Sequence, residues 1–155
     1  MVSALASVPA DDRARLRLWL RLLRTTRAIE RQLRERLAKE FDTTLPRFDV
    51  MAALDRAPDG MMMGELSRFL LVSNGNVTGI VERLVGDGLV VRAHRDGDRR
   101  AAIVQLTPAG RTLFATMAAA HACWIDELLG PIDPDTAQHI AATLAAFRSQ
   151  WENDA

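Results

Sequence analysis

Between residues 73 and 86 the chain carries a helical pattern whose outer face consists of small polar side chains and glycines. The apolar positions are Val77, Ile80, Val81, Leu84 and Val85, and the opposite face holds Asn74, Gly75, Asn76, Thr78, Gly79 and Arg83. Two glycines in one helix cost about 1 kcal/mol each relative to alanine. This face suits a large partner that must approach the helix backbone closely. The alternative is a weak helix start that frays.

A second candidate for chemistry is an arginine-rich turn, RDGDRR at residues 95–100. The runs on either side, Leu89–His94 and Ala101–Leu106, are rich in β-forming residues, so the turn has the composition of a hairpin tip. An exposed tip of this kind can place an arginine in a narrow minor groove of DNA. In the alternative interpretation the turn is solvated, and Asp96 and Asp98 neutralise the arginines.

Metal and enzyme chemistry find little support in the sequence. The histidines His94, His121 and His139 fall on a predicted strand and two different predicted helices, so they form no metal or catalytic motif. The run Met61–Met63 has no histidine or cysteine nearby and is typical of flexible apolar filler. We therefore expect no enzyme activity, no metal and no cofactor.

The elements that must position these residues follow from apolar spacing, which predicts a mainly α fold with a small β-hairpin. Helices are expected at about 11–40, 46–56, 64–70, 73–86, from Pro108 to about residue 129, and from Pro134 onwards. Thr107 and Asp133 precede the last two helices as N-caps, and Gly88 suits the left-handed position after the fourth. Phe69 and Val85 are assigned to the core sides of their helices.

Length and composition are those of a single domain of 155 residues with zero formal net charge. The sequence contains no run of 18 apolar residues, the length needed to span a membrane, and the start of the chain lacks the pattern of a secretory signal. The one cysteine, Cys123, cannot form an intramolecular disulfide, so we expect a cytoplasmic protein. The basic residues are almost all arginine, which suits groove contacts but also follows from a high-GC coding sequence.

The first helix and the last two helices have apolar faces that are too wide for isolated surface helices. On the first helix this face includes Trp19, Leu22, Ile29, Leu33 and Leu37. Because such faces must be covered, we expect the terminal helices to pair with a second copy of the chain.

The segments ELSRFLLVSNGNVTGIVERLVGDGLVVR at 65–92 and DGDRRAAIVQLTPAGR at 96–111 resemble the MarR family of bacterial transcriptional regulators. The resemblance implies a winged helix-turn-helix DNA-binding lobe at 46–106 and a helical dimerisation lobe at 11–40 and 108–152, within one domain of residues 1–155. It also implies a homodimer on a palindromic double-stranded operator, usually repressing a nearby operon. A small effector, often aromatic or phenolic, would bind in a pocket between the two lobes and cause the protein to release the DNA.

Candidate site residues carry over from this resemblance position by position. Those for DNA are Ser73, Asn74, Asn76, Val77, Thr78 and Arg83 in the recognition helix, and Arg95, Asp98, Arg99 and Arg100 in the wing. Asparagine would pair with adenine, Arg83 would contact phosphate, and Asp98 would orient an arginine. Whether Arg99 or Arg100 enters the minor groove stays open. Candidate ligand contacts, equally well explained as core, are Trp19, Leu22, Phe41, Phe48, Met51, Met63 and His121.

Two other functions remain as alternatives. Some members of the family sense oxidants through a cysteine near the N-terminal helix, whereas Cys123 lies late in the fifth predicted helix, where a buried, inert thiol is expected. A thiol-based redox regulator acting through Cys123 is the first alternative. A protein-interaction module whose winged helix no longer binds DNA is the second, and the polar helix face argues against it.

Overall fold

Helices account for most of the described residues, and a small antiparallel sheet supplies the remaining regular structure. This computed structural model describes residues 10–70, 74–95 and 98–152. In chain order the elements are α1 (Ala10–Phe41), α2 (Leu45–Asp55), β1 (Met61–Met62), α3 (Met63–Leu70), α4 (Asn74–Gly86), β2 (Val90–Arg95), β3 (Asp98–Leu106), α5 (Pro108–Leu129) and α6 (Pro134–Glu152). The predicted fold class, mainly α with a β-hairpin, is confirmed. The chain divides into two compact units, Met1–Ala120 and His121–Ala155.

A short turn separates α1 from α2, and its residues explain the break. Asp42 has a φ of 49°, in the left-handed region where helices commonly end. Thr44 then caps α2, because its side-chain oxygen accepts a hydrogen bond from the backbone N–H of Arg47 at 3.4 Å. Pro46 follows in the first turn, where a missing N–H costs nothing. The observed helix therefore starts one residue before the predicted one.

The sheet has the strand order β1-β3-β2, with both pairs antiparallel. The hairpin β2–β3 was expected, whereas β1 was not, because residues 61–63 were predicted to be flexible apolar filler. In the observed register Met61 lies opposite Val104, and Val90 lies opposite Leu106. Val90, Val104 and Leu106 are buried, so one face of the sheet closes the core of the first unit.

The core of the first unit draws on every helix from α1 to the start of α5. Its buried side chains include Leu33, Leu37, Phe48, Met51, Leu54, Leu66, Val77, Val81, Leu84, Phe114 and Met117. The rings of Phe48 and Phe114 lie 5.5 Å apart between centroids, which joins α2 to α5. Two core predictions were wrong: Phe69 is 51% exposed and Val85 is 39% exposed, although both follow helical spacing.

The second unit contains the end of α5 and all of α6. Asp133 caps α6 as predicted, since its Oδ1 accepts a hydrogen bond from the Thr136 N–H at 3.0 Å and its Oδ2 accepts one from the Thr136 hydroxyl at 2.6 Å. These bonds hold the pKa of Asp133 below its usual value.

Cys123 is exposed, so the expectation of a buried thiol was wrong. Within the described residues no helix is long and apolar enough to cross a membrane.

Candidate nucleic-acid interface

Helix α4 is anchored in the first unit by one apolar face. Val77, Val81 and Leu84 recur at steps of three and four and are each 0% exposed. Their burial directs the opposite side of α4 away from the core. Val77 was also a candidate DNA contact, and its complete burial instead makes it a support of the helix.

Three glycines, with the exposed Glu82 next to them, form the outermost line of α4. At 100° per residue, Gly75, Gly79 and Gly86 fall within roughly 40° of one another, on the side opposite the buried valines. A Cβ atom added at any of the three would have no other heavy atom within 4 Å. The helix backbone is therefore open to a close approach along this line, as the sequence indicated.

Polar side chains flank the glycine line on both sides. Asn76 and Arg83 are exposed on the side that faces α2, while Thr78, on the other side, is half-buried. The amide of Asn76 and the guanidinium of Arg83 both suit nucleic acid, the first for base edges and the second for phosphates. Asn74 begins α4, and Ser73 lies outside the described residues.

A groove of about 690 Å³ separates α4 from the first turns of α2. It is lined by Thr44, Pro46, Arg47 and Asp49 from α2 and its cap, by Leu70 of α3, and by Gly75, Asn76, Gly79, Ile80 and Arg83 of α4. The groove thus presents two arginines and one carboxylate beside the glycine line.

The carboxylate of Asp49 is the unfavourable charge in this groove. Its side chain still reaches solvent, but the surrounding atoms desolvate the carboxylate, and Glu30 adds a like charge. Both effects raise the pKa of Asp49, and Arg34 opposes them. Glu30 and Arg34 are themselves paired at 2.8 Å along α1.

The exit from α4 is fixed by a Schellman turn, a two-hydrogen-bond termination that requires a left-handed residue. The N–H of Leu89 donates to the carbonyl of Leu84, and the N–H of Gly88 donates to that of Val85, both at 3.0 Å. Gly88 has the required positive φ of 72°. The start of α5 packs tightly on this turn, because a Cβ at Gly110 would lie 2.0 Å from the carbonyl oxygen of Leu89.

The wing, which is formed by strands β2 and β3, lies beside α4, and a weak ion pair connects the two. The guanidinium of Arg92 in β2 and the carboxylate of Glu82 in α4 are 4.0 Å apart. The strands reach further into the arginine-rich turn than expected, since β2 continues to Arg95 and β3 begins at Asp98, opposite it. A register shift follows His94. The side chains of the predicted wing contacts, Arg95, Asp98, Arg99 and Arg100, lie outside what the structure describes.

The candidate ligand contacts are dispersed. Phe48 and Met51 are buried in the core of the first unit, Trp19 is 56% exposed on α1, and Leu22, Phe41 and Met63 are half-buried. His121 belongs to the second unit, where it lines an open pocket of about 690 Å³ together with Ile125, Leu129, Asp126 and Asp133. Burial lowers the pKa of His121, which favours a neutral imidazole at pH 7.

Sequence reasoning missed the residues that hold α4 from outside. Arg47 in α2 forms an ion pair with Asp87 at the end of α4, and Arg92 lies near Glu82. The sequence did contain a signal for the pair of Arg47 and Asp87. An arginine in the first turn of a helix and an aspartate at the end of another both oppose the helix dipole, so each suggests a partner elsewhere.

Comparisons with known proteins agree on one family. Residues 41–101 match the model described as the MarR family. A MarR family transcriptional regulator from Silicibacter pomeroyi is 37% identical in its crystal structure, with a TM-score of 0.74 over 96% of this chain and 100% of that one. The crystal structure of a mutant MarR from E. coli complexed with operator DNA is 24% identical, with a TM-score of 0.74 over 84% of this chain and 92% of that one.

A curated relative with a stated role is the transcriptional activatory protein BadR of Rhodopseudomonas palustris. It is 36% identical over 77 residues, which are 48% of this chain and 44% of BadR. This chain thus spans less than half the length of that relative. The matched proteins named here are regulators of transcription and not enzymes.

Proposed function

This chain belongs to the MarR family of transcriptional regulators, and we propose that it acts as a homodimer that binds a palindromic operator in double-stranded DNA. The observation that carries this proposal is the outer surface of α4. Its glycine line, with Asn76 and Arg83 beside it, is supported from behind by fully buried valines. A helix built in this way has poor intrinsic stability but gives a partner unusually close access to its backbone.

We propose that α4 enters the major groove and the wing reaches the adjacent minor groove. Asn76 is assigned to a base edge, with Asn74, Ser73 and Thr78 near it, and Arg83 is assigned to phosphate. In the wing, Asp98 orients Arg99 or Arg100 for the minor groove, and Arg95 stands on the opposite strand. The operator-bound E. coli protein has the same fold, which supports this arrangement.

The proposed dimer would use apolar surface that this chain leaves uncovered. On α6, Ile140, Leu144 and Phe147 recur at helical spacing and are 41%, 38% and 49% exposed. On α1, Leu18 and Trp19 are each 56% exposed. Large apolar side chains at such spacing indicate a helical interface, and a second copy matches an operator with two half-sites.

We further propose that the protein represses a nearby operon and that a small aromatic or phenolic ligand releases it. The open pocket at His121 supports a small ligand, because apolar side chains there meet an imidazole and the carboxylates of Asp126 and Asp133. The ligand acts only if it binds one spacing of the two recognition helices better than the other. BadR is named as an activator, so a reporter fused to the target promoter decides the sign of regulation.

Operator binding is tested by fluorescence anisotropy with DNA from upstream of the gene. We expect nanomolar to micromolar binding, a strong loss of affinity with rising salt, and protection of a palindromic site in footprinting. Phenols and aromatic carboxylates are then titrated into the complex, and release by one of them supports the ligand proposal. Equal affinity for upstream and scrambled DNA at every salt concentration contradicts sequence-specific binding.

A redox-responsive regulator remains a second candidate, because Cys123 is exposed and therefore accessible to oxidants. It predicts that hydrogen peroxide releases operator DNA from the wild type and not from the Cys123→Ser variant. An equal response of the two proteins eliminates this candidate and leaves the ligand-responsive regulator.

A further inference from the structure

An ion pair joins the first turn of α2 to the end of α4, two segments that are 40 residues apart in sequence. The terminal guanidinium nitrogen of Arg47 donates to Oδ2 of Asp87. The Arg47 side chain is 21% exposed and that of Asp87 is 51% exposed, so the pair lies at the edge of the groove, partly screened from water. Among the described residues, no acceptor is found for the buried Nε of Arg47.

Each partner is unfavourable within its own helix. Arg47 lies in the first turn of α2, where the helix dipole favours acidic residues, and Asp87 directly follows α4, where the dipole favours basic ones. Arg47 therefore does not stabilise the start of α2, and Asp87 does not stabilise the end of α4. The pairing across the groove therefore accounts for both residues better than local helix stability does.

The pair joins α4 at its solvent-exposed C-terminal end, next to the exit turn. Asp87 immediately precedes Gly88, the left-handed residue of the exit turn, and Val85 beside it is 39% exposed. The core contacts of α4 come from Val77, Val81 and Leu84, and Asp87 lies to one side of them, roughly 60–120° around the helix axis. Because Asp87 lies beside the buried face, a contact there opposes rotation of α4 about its axis, and such a rotation would change the direction of the glycine line.

We infer that Arg47 and Asp87 form a positioning pair, which fixes the orientation of α4 against α2 and so determines how well the helix matches its operator. This inference rests on the proposed DNA-binding function. The main competing role is a direct phosphate contact by Arg47, with Asp87 as an incidental neighbour. The two roles predict opposite effects when the charge of Asp87 is removed.

The first experiment compares Asp87→Asn with Asp55→Asn, which neutralises an exposed carboxylate at the end of α2 in the same unit. Removing a carboxylate near DNA generally strengthens binding through phosphate electrostatics. We expect Asp55→Asn to leave operator affinity unchanged or slightly higher, and Asp87→Asn to lower it about threefold or more. Affinity for scrambled DNA should not fall in either variant, so the ratio of specific to non-specific affinity falls only in Asp87→Asn.

The second experiment exchanges the charges. Arg47→Asp alone brings two carboxylates together, and Asp87→Arg alone brings two guanidinium groups together, so each should weaken operator binding. In the double variant the pair is restored with charges that suit both helix dipoles, and we expect operator affinity to recover about tenfold over the weaker single variant. Circular dichroism melts of all variants, at one protein concentration, check that each is folded.

Stronger operator binding by Asp87→Asn, matching the control, would overturn the positioning role. So would additive effects of the two charge reversals. A wild type that binds no upstream DNA specifically refutes the proposed function itself, and this outcome is separate because it appears before any variant is compared.

Discussion

Replacing Gly79 by alanine is expected to stabilise the protein and, at the same time, to weaken its binding to operator DNA. Gly79 lies in the middle of α4, and a Cβ atom built there has no other heavy atom within 4 Å. Alanine loses less backbone entropy than glycine on entering a helix, so the free energy of unfolding should rise by about 1 kcal/mol. For a chain of this size, that gain corresponds to a melting temperature higher by roughly 2–4 °C.

The loss of affinity follows from where the new methyl group stands. It projects from the outermost line of α4, where we propose that DNA comes closest to the backbone. Displacing a well-fitted contact by one methyl group should lower operator affinity about tenfold, equivalent to ~1.4 kcal/mol. Gly75→Ala should act in the same two directions, because the space around its added Cβ is equally open.

The assay pairs two measurements on the same protein preparation. Thermal unfolding is followed by circular dichroism at one fixed protein concentration, since a dimer melts at a concentration-dependent temperature. Operator affinity is measured by fluorescence anisotropy at one fixed salt concentration. Gly64→Ala, at the start of α3, is the matched control, because its Cβ also meets no other heavy atom within 4 Å. It should add some stability without changing operator affinity.

Two results would refute this reasoning at different steps. An unchanged melting temperature in Gly79→Ala means that the glycine does not weaken α4. A raised melting temperature with wild-type operator affinity means that the glycine line is not where DNA comes close. Only opposite changes in stability and affinity support both steps together.

Three further predictions concern the groove, the pocket at His121 and the dimer. Asp49→Asn should raise the free energy of unfolding at pH 7, because the raised pKa of Asp49 means that its charge opposes folding, and the gain should vanish in urea titrations below pH 3.8, where both states are protonated. The lowered pKa of His121 means that the folded protein binds fewer protons than the unfolded chain below pH 6.5, so stability should fall from pH 6.5 downwards. His121→Gln should flatten this fall in urea titrations at about pH 7.5 and 5.5, and parallel curves for the two proteins would contradict it. Leu144→Glu should give monomers in sedimentation analysis and lose operator binding, whereas Ala142→Glu, on the opposite side of α6, should remain dimeric. A dimeric Leu144→Glu would exclude this face from the interface.

The recognition helix itself could be predicted from local signals. Residues 74–86 were expected to form its body and are the observed α4. Val77, Val81 and Leu84 mark its buried face by spacing alone, and Gly88 marks its end because few other residues adopt a positive φ without strain. The caps Thr107 and Asp133 were equally local, and the hydrogen bonds of both are present.

Features decided by tertiary contacts could not be predicted in this way. Helical spacing places Phe69 and Val85 on an apolar face, but their exposure depends on how far the neighbouring elements extend over that face. The strand β1 has two residues, too few for any periodicity, and exists because Met61 and Met62 lie beside β3. The pairing of Arg47 with Asp87 joins segments whose proximity only the fold establishes.

Helix α4 and its exit turn break several local rules, and none of these departures lies at a buried position. Glycine replaces better helix formers along the outer line, and an aspartate stands at the negative end of the dipole. If stability alone had shaped α4, alanine and a basic residue would serve better at these positions. Departures from local preference are expected where function requires them, and they must be compensated by the surrounding structure. Here the compensation comes from the buried valines, the exit turn at Gly88 and the contact from Arg47. It follows that substitutions which strengthen α4 on its own should cost affinity for DNA, whereas substitutions which weaken its supports should reduce both stability and specificity.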